Sequence, residues 1–150
     1  MKPRRILAVD PGDKRIGLAL SDPSGTIAAP LLVLKHVQRL VDAAEIVQLA
    51  QAHGVDCIVV GEALDDDGNP GPQARKAARL ADAIRTQTDL PVVLWDESGS
   101  TAEARAARLA VGAPRSKRKG HFDALAAAVT LQSYLDALDT TAAVGSSGEG

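Results

Sequence analysis

A nearly continuous apolar run from Val55 to Val60 constrains the fold of this chain more than any other segment. Three of its six residues are valine and one is isoleucine, as in strands that are covered on both faces of a sheet. Segments with helical spacing lie on both sides of it, from Val37 to His53 and from Pro72 to about Thr88. A buried strand between two helices favours an α/β fold, because parallel strands are joined by helical crossovers.

The first quarter of the chain instead predicts antiparallel strands joined by short turns. Arg4 to Asp10 and Arg15 to Ser21 flank the turn sequence Pro11-Gly12-Asp13-Lys14, which favours a hairpin. The turn sequence Asp22-Pro23-Ser24-Gly25 then precedes a third apolar segment, Thr26 to Leu34. The sheet is therefore expected to be mixed, with an antiparallel meander beside parallel strands.

The last third of the chain predicts one more strand and two helices. Pro91 to Trp95 is a short apolar strand, and Ser100-Thr101-Ala102-Glu103 is a capping box that opens a helix ending near Gly112. His121 to about Leu138 has apolar residues on more than one face, which predicts a helix packed deeply against the sheet. The predicted order is β-β-β-α-β-α-β-α-α.

Composition limits the chain to one domain and excludes several classes of function. With 150 residues, the chain is expected to form a single α/β domain over residues 1–139, followed by a disordered Thr-, Gly- and Ser-rich tail at 140–150. The net charge of −2 means that any anion site is local. The single cysteine, Cys57, excludes an intrachain disulfide. With no apolar run of ~18 residues and no signal-peptide pattern, we expect a cytoplasmic protein with no membrane partner.

Acidic residues follow the predicted strands. Asp10 ends the first strand, Glu62 follows the Val55 run, and Asp96 and Glu97 follow the last strand. Right-handed crossovers bring the carboxyl ends of these strands to one edge of the sheet, where open α/β sheets bind ligands. Asp123 opens the final helix and can face Asp10 if that helix crosses near the first strand. Such carboxylates suit Mg²⁺ or Mn²⁺, and a two-ion site can hydrolyse a phosphodiester.

Basic residues near these acids suggest contacts with substrate phosphates. Lys14 and Arg15 lie in the first hairpin, and the segment Ala113 to Gly120 reads as a mobile basic loop. That loop carries Arg115, Lys117, Arg118 and Lys119. With three aromatic residues in the chain, recognition is expected to use the nucleic-acid backbone rather than base stacking. The alternatives are that each acid only caps a turn or helix and that the loop is a solvated charge run.

The segment from Ala8 to Asp22, Ala-Val-Asp-Pro-Gly-Asp-Lys-Arg-Ile-Gly-Leu-Ala-Leu-Ser-Asp, resembles the signature that opens the YqgF/RuvX family of pre-16S rRNA nucleases and Holliday-junction-resolvase-like proteins. Later blocks resemble the family in the same order and extend to about Asp139: Val59-Val60-Gly61, then Asp96-Glu97, then Asp123-Ala124-Leu125. The resemblance implies an RNase H-like fold with a five-stranded mixed sheet in the order 3-2-1-4-5 and flanking helices. It also implies a nuclease site on Asp10, Glu97 and Asp123, and processing of the 16S rRNA precursor.

Some questions stay open at the level of sequence. The family usually has an Arg after the Asp-Glu pair, where this chain has Ser98-Gly99. Glu62 is a candidate to join Glu97 in the site, or to replace it. The alternative functions are a resolvase of branched DNA and a catalytically inactive rRNA-binding factor. Single-stranded DNA and ribosomal particles are further candidate partners, and both a monomer and a homodimer fit the sequence. An actin-like ATPase is disfavoured, because those enzymes need two such lobes.

Overall fold

The computed structural model describes residues 5–62, 71–96 and 124–138. Its elements, in chain order, are β1 (Ile6–Pro11), β2 (Arg15–Ser21), β3 (Ala28–Lys35), α1 (Arg39–Ala52), β4 (Cys57–Glu62), α2 (Pro72–Arg85) and β5 (Val92–Asp96). Residues 124–138 are also helical and are called α3. The predicted helix from Ser100, the basic loop at 113–120 and the tail at 140–150 lie outside the described residues.

The five strands form one sheet in the order β3-β2-β1-β4-β5, which confirms the predicted order. β1 pairs antiparallel with β2 and parallel with β4. β2 pairs antiparallel with β3, and β4 pairs parallel with β5. The sheet is therefore mixed, with the hairpin strand β1 at its centre.

Most predicted element boundaries differ from the structure by about one to three residues, and the contacts explain two of the differences. β4 does not end at Gly61, because Gly61 and Glu62 continue the ladder opposite Trp95 and Asp96 of β5. α1 begins at Arg39 rather than at Val37, since the carboxylate of Asp42 accepts a hydrogen bond from the Val37 N–H at 3.1 Å outside the helix. Pairing with β5 sets the end of β4, and a side-chain contact sets the start of α1. Neither boundary can be predicted from the spacing of apolar residues along the chain.

Alternate residues of the strands build two different apolar layers. On one face, called the α1/α2 face, Leu7, Val9 and Ile16 pack with residues of α1 and α2. On the other face, called the α3 face, Ile6 and Ala8 pack with residues of α3. The side chains of Ile6, Leu7, Ala8 and Val9 are fully buried, so β1 is covered on both faces along its first four residues.

Polar contacts fix α3 to both edges of the sheet. The side chain of Gln132 accepts a hydrogen bond from the Ala28 N–H at 3.0 Å and donates one to the Thr26 carbonyl at 3.0 Å. At the other edge, the Trp95 indole N–H donates to the Ser133 hydroxyl at 3.3 Å. Trp95 also packs edge-to-face on Tyr134, with ring centroids 5.2 Å apart. α3 therefore spans the sheet from β5 to β3.

None of the described helices is both long enough and apolar enough to cross a membrane.

Candidate active site

Asp10 lies within β1, where it pairs with Gly17 of β2. Side chains alternate between the two faces of a strand. Ile6 and Ala8 belong to the α3 face, so Asp10, two residues further on, also lies on that face. Its side chain is half-buried. Asp10 is therefore a strand residue that interrupts an otherwise apolar face, rather than the first residue of a turn.

Glycines flank Asp10 on both neighbouring strands. Gly17 is its partner on β2, and Gly61 follows Val60, the β4 partner of Val9. Among the described glycines, positive φ angles occur at Gly25 and Gly54. The backbone therefore does not require glycine at these two positions, although glycine weakens a strand. Because glycine has no Cβ, neither neighbour places a side chain beside the Asp10 carboxylate on this face.

Gly17 is not the site of a bulge, which was one of the two interpretations that its position in a strand allowed. The irregularity in the sheet lies between Leu18 and Ala19, in their pairing with β3. The other interpretation, a close approach to the backbone, remains.

Glu62 lies on the opposite face of the sheet from Asp10. Ile58 and Val60 contribute to the α1/α2 face, and the regular pairing of β4 with β5 continues through Glu62 and Asp96. Alternation therefore places both Glu62 and Asp96 on the α1/α2 face. Glu62 is one strand away from Asp10 but is separated from it by the sheet itself.

The other two predicted acids lie outside the described residues, next to described elements of the α3 face. Glu97 follows two residues after Trp95, which packs on that face. Asp123 directly precedes the described part of α3. Arg115, Lys117, Arg118 and Lys119 also lie outside. Within residues 5–62, 71–96 and 124–138, no group of three or more His, Cys, Asp or Glu side chains is arranged to hold a metal ion.

The two predicted cations of the hairpin take different positions. Lys14 is exposed in the β1–β2 turn, and its carbonyl accepts a hydrogen bond from the His36 N–H at 2.9 Å. Arg15 is half-buried at the start of β2. Ala19 belongs to the α3 face, so alternation also places Gly17 and Arg15 there. Arg15 is thus on the same face as Asp10.

A lysine that sequence reasoning missed holds the turn after Asp10. The Lys76 ammonium of α2 donates hydrogen bonds to the Gly12 carbonyl at 2.8 Å and to the Asp13 carboxylate at 3.0 Å. The hydrogen bond and charge of Lys76 lower the pKa of Asp13. A Cβ at Gly12 would lie 2.4 Å from the Arg15 carbonyl oxygen, so the tight turn itself requires glycine. No local pattern signals Lys76, which is 64 residues from Gly12.

His36, which was assigned no role from the sequence, supports the start of α1. Its Nδ1 lies 2.5 Å from a carboxylate oxygen of Asp42, whose side chain is only 4% exposed. The other oxygen of Asp42 accepts the Val37 N–H. The buried carboxylate therefore has a partner on each oxygen, as buried charges require.

Comparisons with known proteins match one family over most of the chain. Residues 4–137 match the family model described as "RuvX: Holliday junction resolvase". A "Putative pre-16S rRNA nuclease" of Thermoanaerobacter pseudethanolicus is 39% identical over 133 residues, covering 88% of this chain and 96% of the relative. A protein of Syntrophus aciditrophicus with the same description is 40% identical over 134 residues, covering 89% of each chain.

Two solved structures share the fold at low sequence identity. Thermus thermophilus RuvC superposes with a TM-score of 0.59 at 19% identity, covering 91% of this chain and 97% of that one. The fowlpox virus resolvase in complex with Holliday junction DNA gives a TM-score of 0.53 at 10% identity, covering 89% of this chain and 98% of that one. The RNase H-like fold is thereby confirmed, and the extent of the family match shows that this chain belongs to the RuvX family.

Proposed function

We propose that this protein is a metal-dependent nuclease that hydrolyses phosphodiester bonds in the precursor of 16S rRNA. The observation that carries the proposal is the position of Asp10. It is a carboxylate at the carboxyl edge of an RNase H-like sheet, with a glycine on each neighbouring strand. The relatives described as pre-16S rRNA nucleases support the choice of substrate. Action on precursor rRNA agrees with a cytoplasmic location.

The proposed metal ligands are Asp10, Glu97 and Asp123, with Mg²⁺ or Mn²⁺ as the ion. The donor chemistry fits, since carboxylate oxygens are the ligands that these hard cations prefer. Gly17 and Gly61 place no side chain beside the half-buried Asp10. When bound, two such ions activate a water and stabilise the leaving oxygen of a phosphodiester. Glu62 is left out of the set, because it lies on the other face of the sheet.

The residues of the chain itself orient the substrate. Arg15, on the same face as Asp10, and the exposed Lys14 are proposed to contact phosphates on either side of the cleaved bond. Arg115, Lys117, Arg118 and Lys119 are proposed to add further phosphate contacts. Such contacts carry no sequence information, so the shape of the substrate determines its selection. Ribosomal particles are a proposed context for that substrate.

Resolution of branched DNA is the second candidate function. The observation that favours it is the structural similarity to resolvases, including one solved with Holliday junction DNA. Cleavage of a symmetric junction needs two active sites, and therefore a homodimer. A monomer suffices for the maturation of an RNA end.

One experiment tests both candidates. The purified full chain is incubated with Mn²⁺ or Mg²⁺ and with precursor rRNA, linear single-stranded DNA, linear duplex DNA or a four-way junction. We expect cleavage of precursor rRNA, loss of cleavage with a chelator, and retained binding but no cleavage in Asp10→Asn. Preferred cleavage of the junction selects the resolvase instead. Binding of rRNA without cleavage under every metal condition contradicts both nuclease functions and selects the inactive binding factor.

A further inference from the structure

A cavity opens on the α1/α2 face at the same edge of the sheet as Asp10. Its volume is about 460 Å³, and it lies between the β1–β2 turn, the start of α1 and α2. Its wall includes Pro11 and Gly12, the two residues that follow Asp10 in the chain. Consecutive Cα atoms are ~3.8 Å apart, so the cavity begins beside the candidate active site, on the other side of the strand end.

The acidic groups in the wall of this cavity already have partners. Asp13 forms an ion pair with Lys76 at 3.0 Å. Asp42 is held by the ring of His36 and by the Val37 N–H. Within the described part of the chain, neither carboxylate forms an ion pair with an arginine of the wall.

Two arginines in the wall remain available. Arg39 is the first residue of α1, and Arg79 lies in the second turn of α2. Both are exposed, and the side chain of neither makes a hydrogen bond or an ion pair within the described part of the chain. Both also border a neighbouring groove between the two helices. The carboxylate in that groove, Asp82, is paired with Arg85 at 2.8 Å.

The arrangement suits an anion with several oxygen atoms. Two guanidinium groups in the wall of one cavity repel each other unless an opposite charge lies between them. The planar fork of N–H donors on each arginine matches the oxygen atoms of a phosphate group. A nucleic-acid strand offers such groups at every nucleotide, and the cavity adjoins the turn that carries Asp10.

We propose that Arg39 and Arg79 bind a backbone phosphate of the same nucleic-acid strand that is cleaved at Asp10. This assignment rests on the proposed nuclease function for the identity of the strand. The strand crosses the end of β1, with the cleaved bond on the α3 face and the second phosphate on the α1/α2 face. Two contacts on opposite faces fix the path of the strand over the end of β1, which a single phosphate contact does not.

The test measures the binding of a labelled single-stranded oligoribonucleotide to the full chain carrying Asp10→Asn, so that no cleavage occurs. Adding Arg39→Gln together with Arg79→Gln is expected to weaken binding on the order of tenfold. It is also expected to reduce the slope of log K against log salt by about 0.7, the value for one phosphate contact on a single strand. The matched control is the double variant Asp82→Asn with Arg85→Gln, which removes an ion pair of α2 without leaving an unpaired carboxylate in the groove beside Arg79. Arg85 hydrogen-bonds the carbonyl of Val92, at the opposite edge of the sheet, so this variant is expected to keep both values.

Competition with small phosphates distinguishes a strand phosphate from a free one. Adenosine monophosphate and inorganic phosphate are added at constant ionic strength. Displacement of the oligonucleotide that depends on Arg39 and Arg79 supports the proposal. Binding of either phosphate to the cavity without any displacement overturns it.

The outcomes also separate this proposal from the proposed function. If the double variant folds with an unchanged melting temperature and keeps full affinity and salt slope, the cavity assignment is wrong, whether or not the wild type cleaves. If the arginines are needed for binding but the wild type cleaves no substrate, the cavity assignment stands and the nuclease function falls.

Discussion

The two faces of the sheet use the same strands for different purposes. On the α1/α2 face, large aliphatic side chains continue from Leu7 through Val9 and are joined by Ile16 from β2. On the α3 face, the side chains are smaller at Ala8 and Ala19, and the apolar layer gives way to Asp10 between two glycines. One face therefore contributes mainly to stability. The other carries glycines, which weaken a strand, on both sides of a half-buried carboxylate.

This comparison gives a hypothesis about which acids of the chain are catalytic. Asp10 and Glu62 lie near the ends of neighbouring parallel strands, yet strand alternation places them on opposite faces. We therefore predict that the face on which an acid lies, rather than its proximity to the edge, decides whether it takes part in catalysis. The predictions below test this difference between faces, and they run from the largest expected effect to the smallest.

The largest effect is expected when each of the two acids is replaced, in separate variants, by the corresponding amide. Asp10→Asn should lower the rate of metal-dependent cleavage on the order of 10³-fold or more, because a metal ligand is lost. Glu62→Gln should leave the rate within about threefold of wild type, a change of less than ~1 kcal/mol in the barrier. Single-turnover cleavage of precursor rRNA measures both. Equal losses in the two variants would show that the faces do not divide the acids.

The next effect is a difference in the free energy of unfolding lost when two neighbouring residues of β1, one on each face of the sheet, are truncated. Leu7→Ala should cost about 2 to 5 kcal/mol in the free energy of unfolding, because it leaves a cavity in the fully buried α1/α2 face. Ala8→Gly, on the α3 face, should cost only about 0.5 to 1 kcal/mol. Urea unfolding followed by circular dichroism measures both. A larger loss for Ala8→Gly contradicts the idea that the α1/α2 face contributes most of the stability.

A methyl group added beside Asp10 should affect cleavage more than folding. Gly17→Ala is expected to reduce cleavage on the order of tenfold, since the added carbon displaces the substrate or ions. Its effect on unfolding should stay within about 1 kcal/mol. Gly71→Ala is the matched control, because a Cβ there has no atom within 4 Å. Full activity in Gly17→Ala would mean that the space at this position is not used.

The smallest effect is a pH dependence in the β2–β3 turn, far from both proposed sites. The Asp22 carboxylate accepts hydrogen bonds from Ser24, Thr26 and Ile27. The Ser24 hydroxyl and these N–H groups lower the pKa of Asp22 from 3.8 to about 2. A lowered pKa means that the contribution to stability is complete above the ordinary value and is lost as the pH falls through the lowered one. Asp22→Asn should therefore lower the melting temperature at neutral pH, and the difference from wild type should shrink between pH 3.8 and about 2. A constant difference across that range contradicts the assignment.

The strands of the fold follow from local sequence patterns, since apolar runs and turn residues predicted all five of them. The family resemblance predicted their order. The position of Asp10 at the end of an apolar strand made it a candidate site residue, which remains a prediction. Pairing and packing between distant residues determined the features that local patterns did not predict. The face of Glu62 depends on β4 continuing through Gly61, which local reasoning took as the end of the strand. The contacts of Lys76 depend on how α2 packs against a turn about sixty residues earlier. The cavity lined by Arg39 and Arg79 depends on the same packing, which cannot be predicted from the spacing of residues along the chain.

The contacts of Gln132 also have a consequence for the edge of the sheet. β3 is an outer strand, and an outer strand with free N–H groups can pair with another polypeptide and aggregate. The Ala28 N–H is already occupied by the Gln132 side chain, and Pro30 has no N–H to offer. A single amide side chain from α3 and one proline thus protect the start of this strand from unwanted self-association.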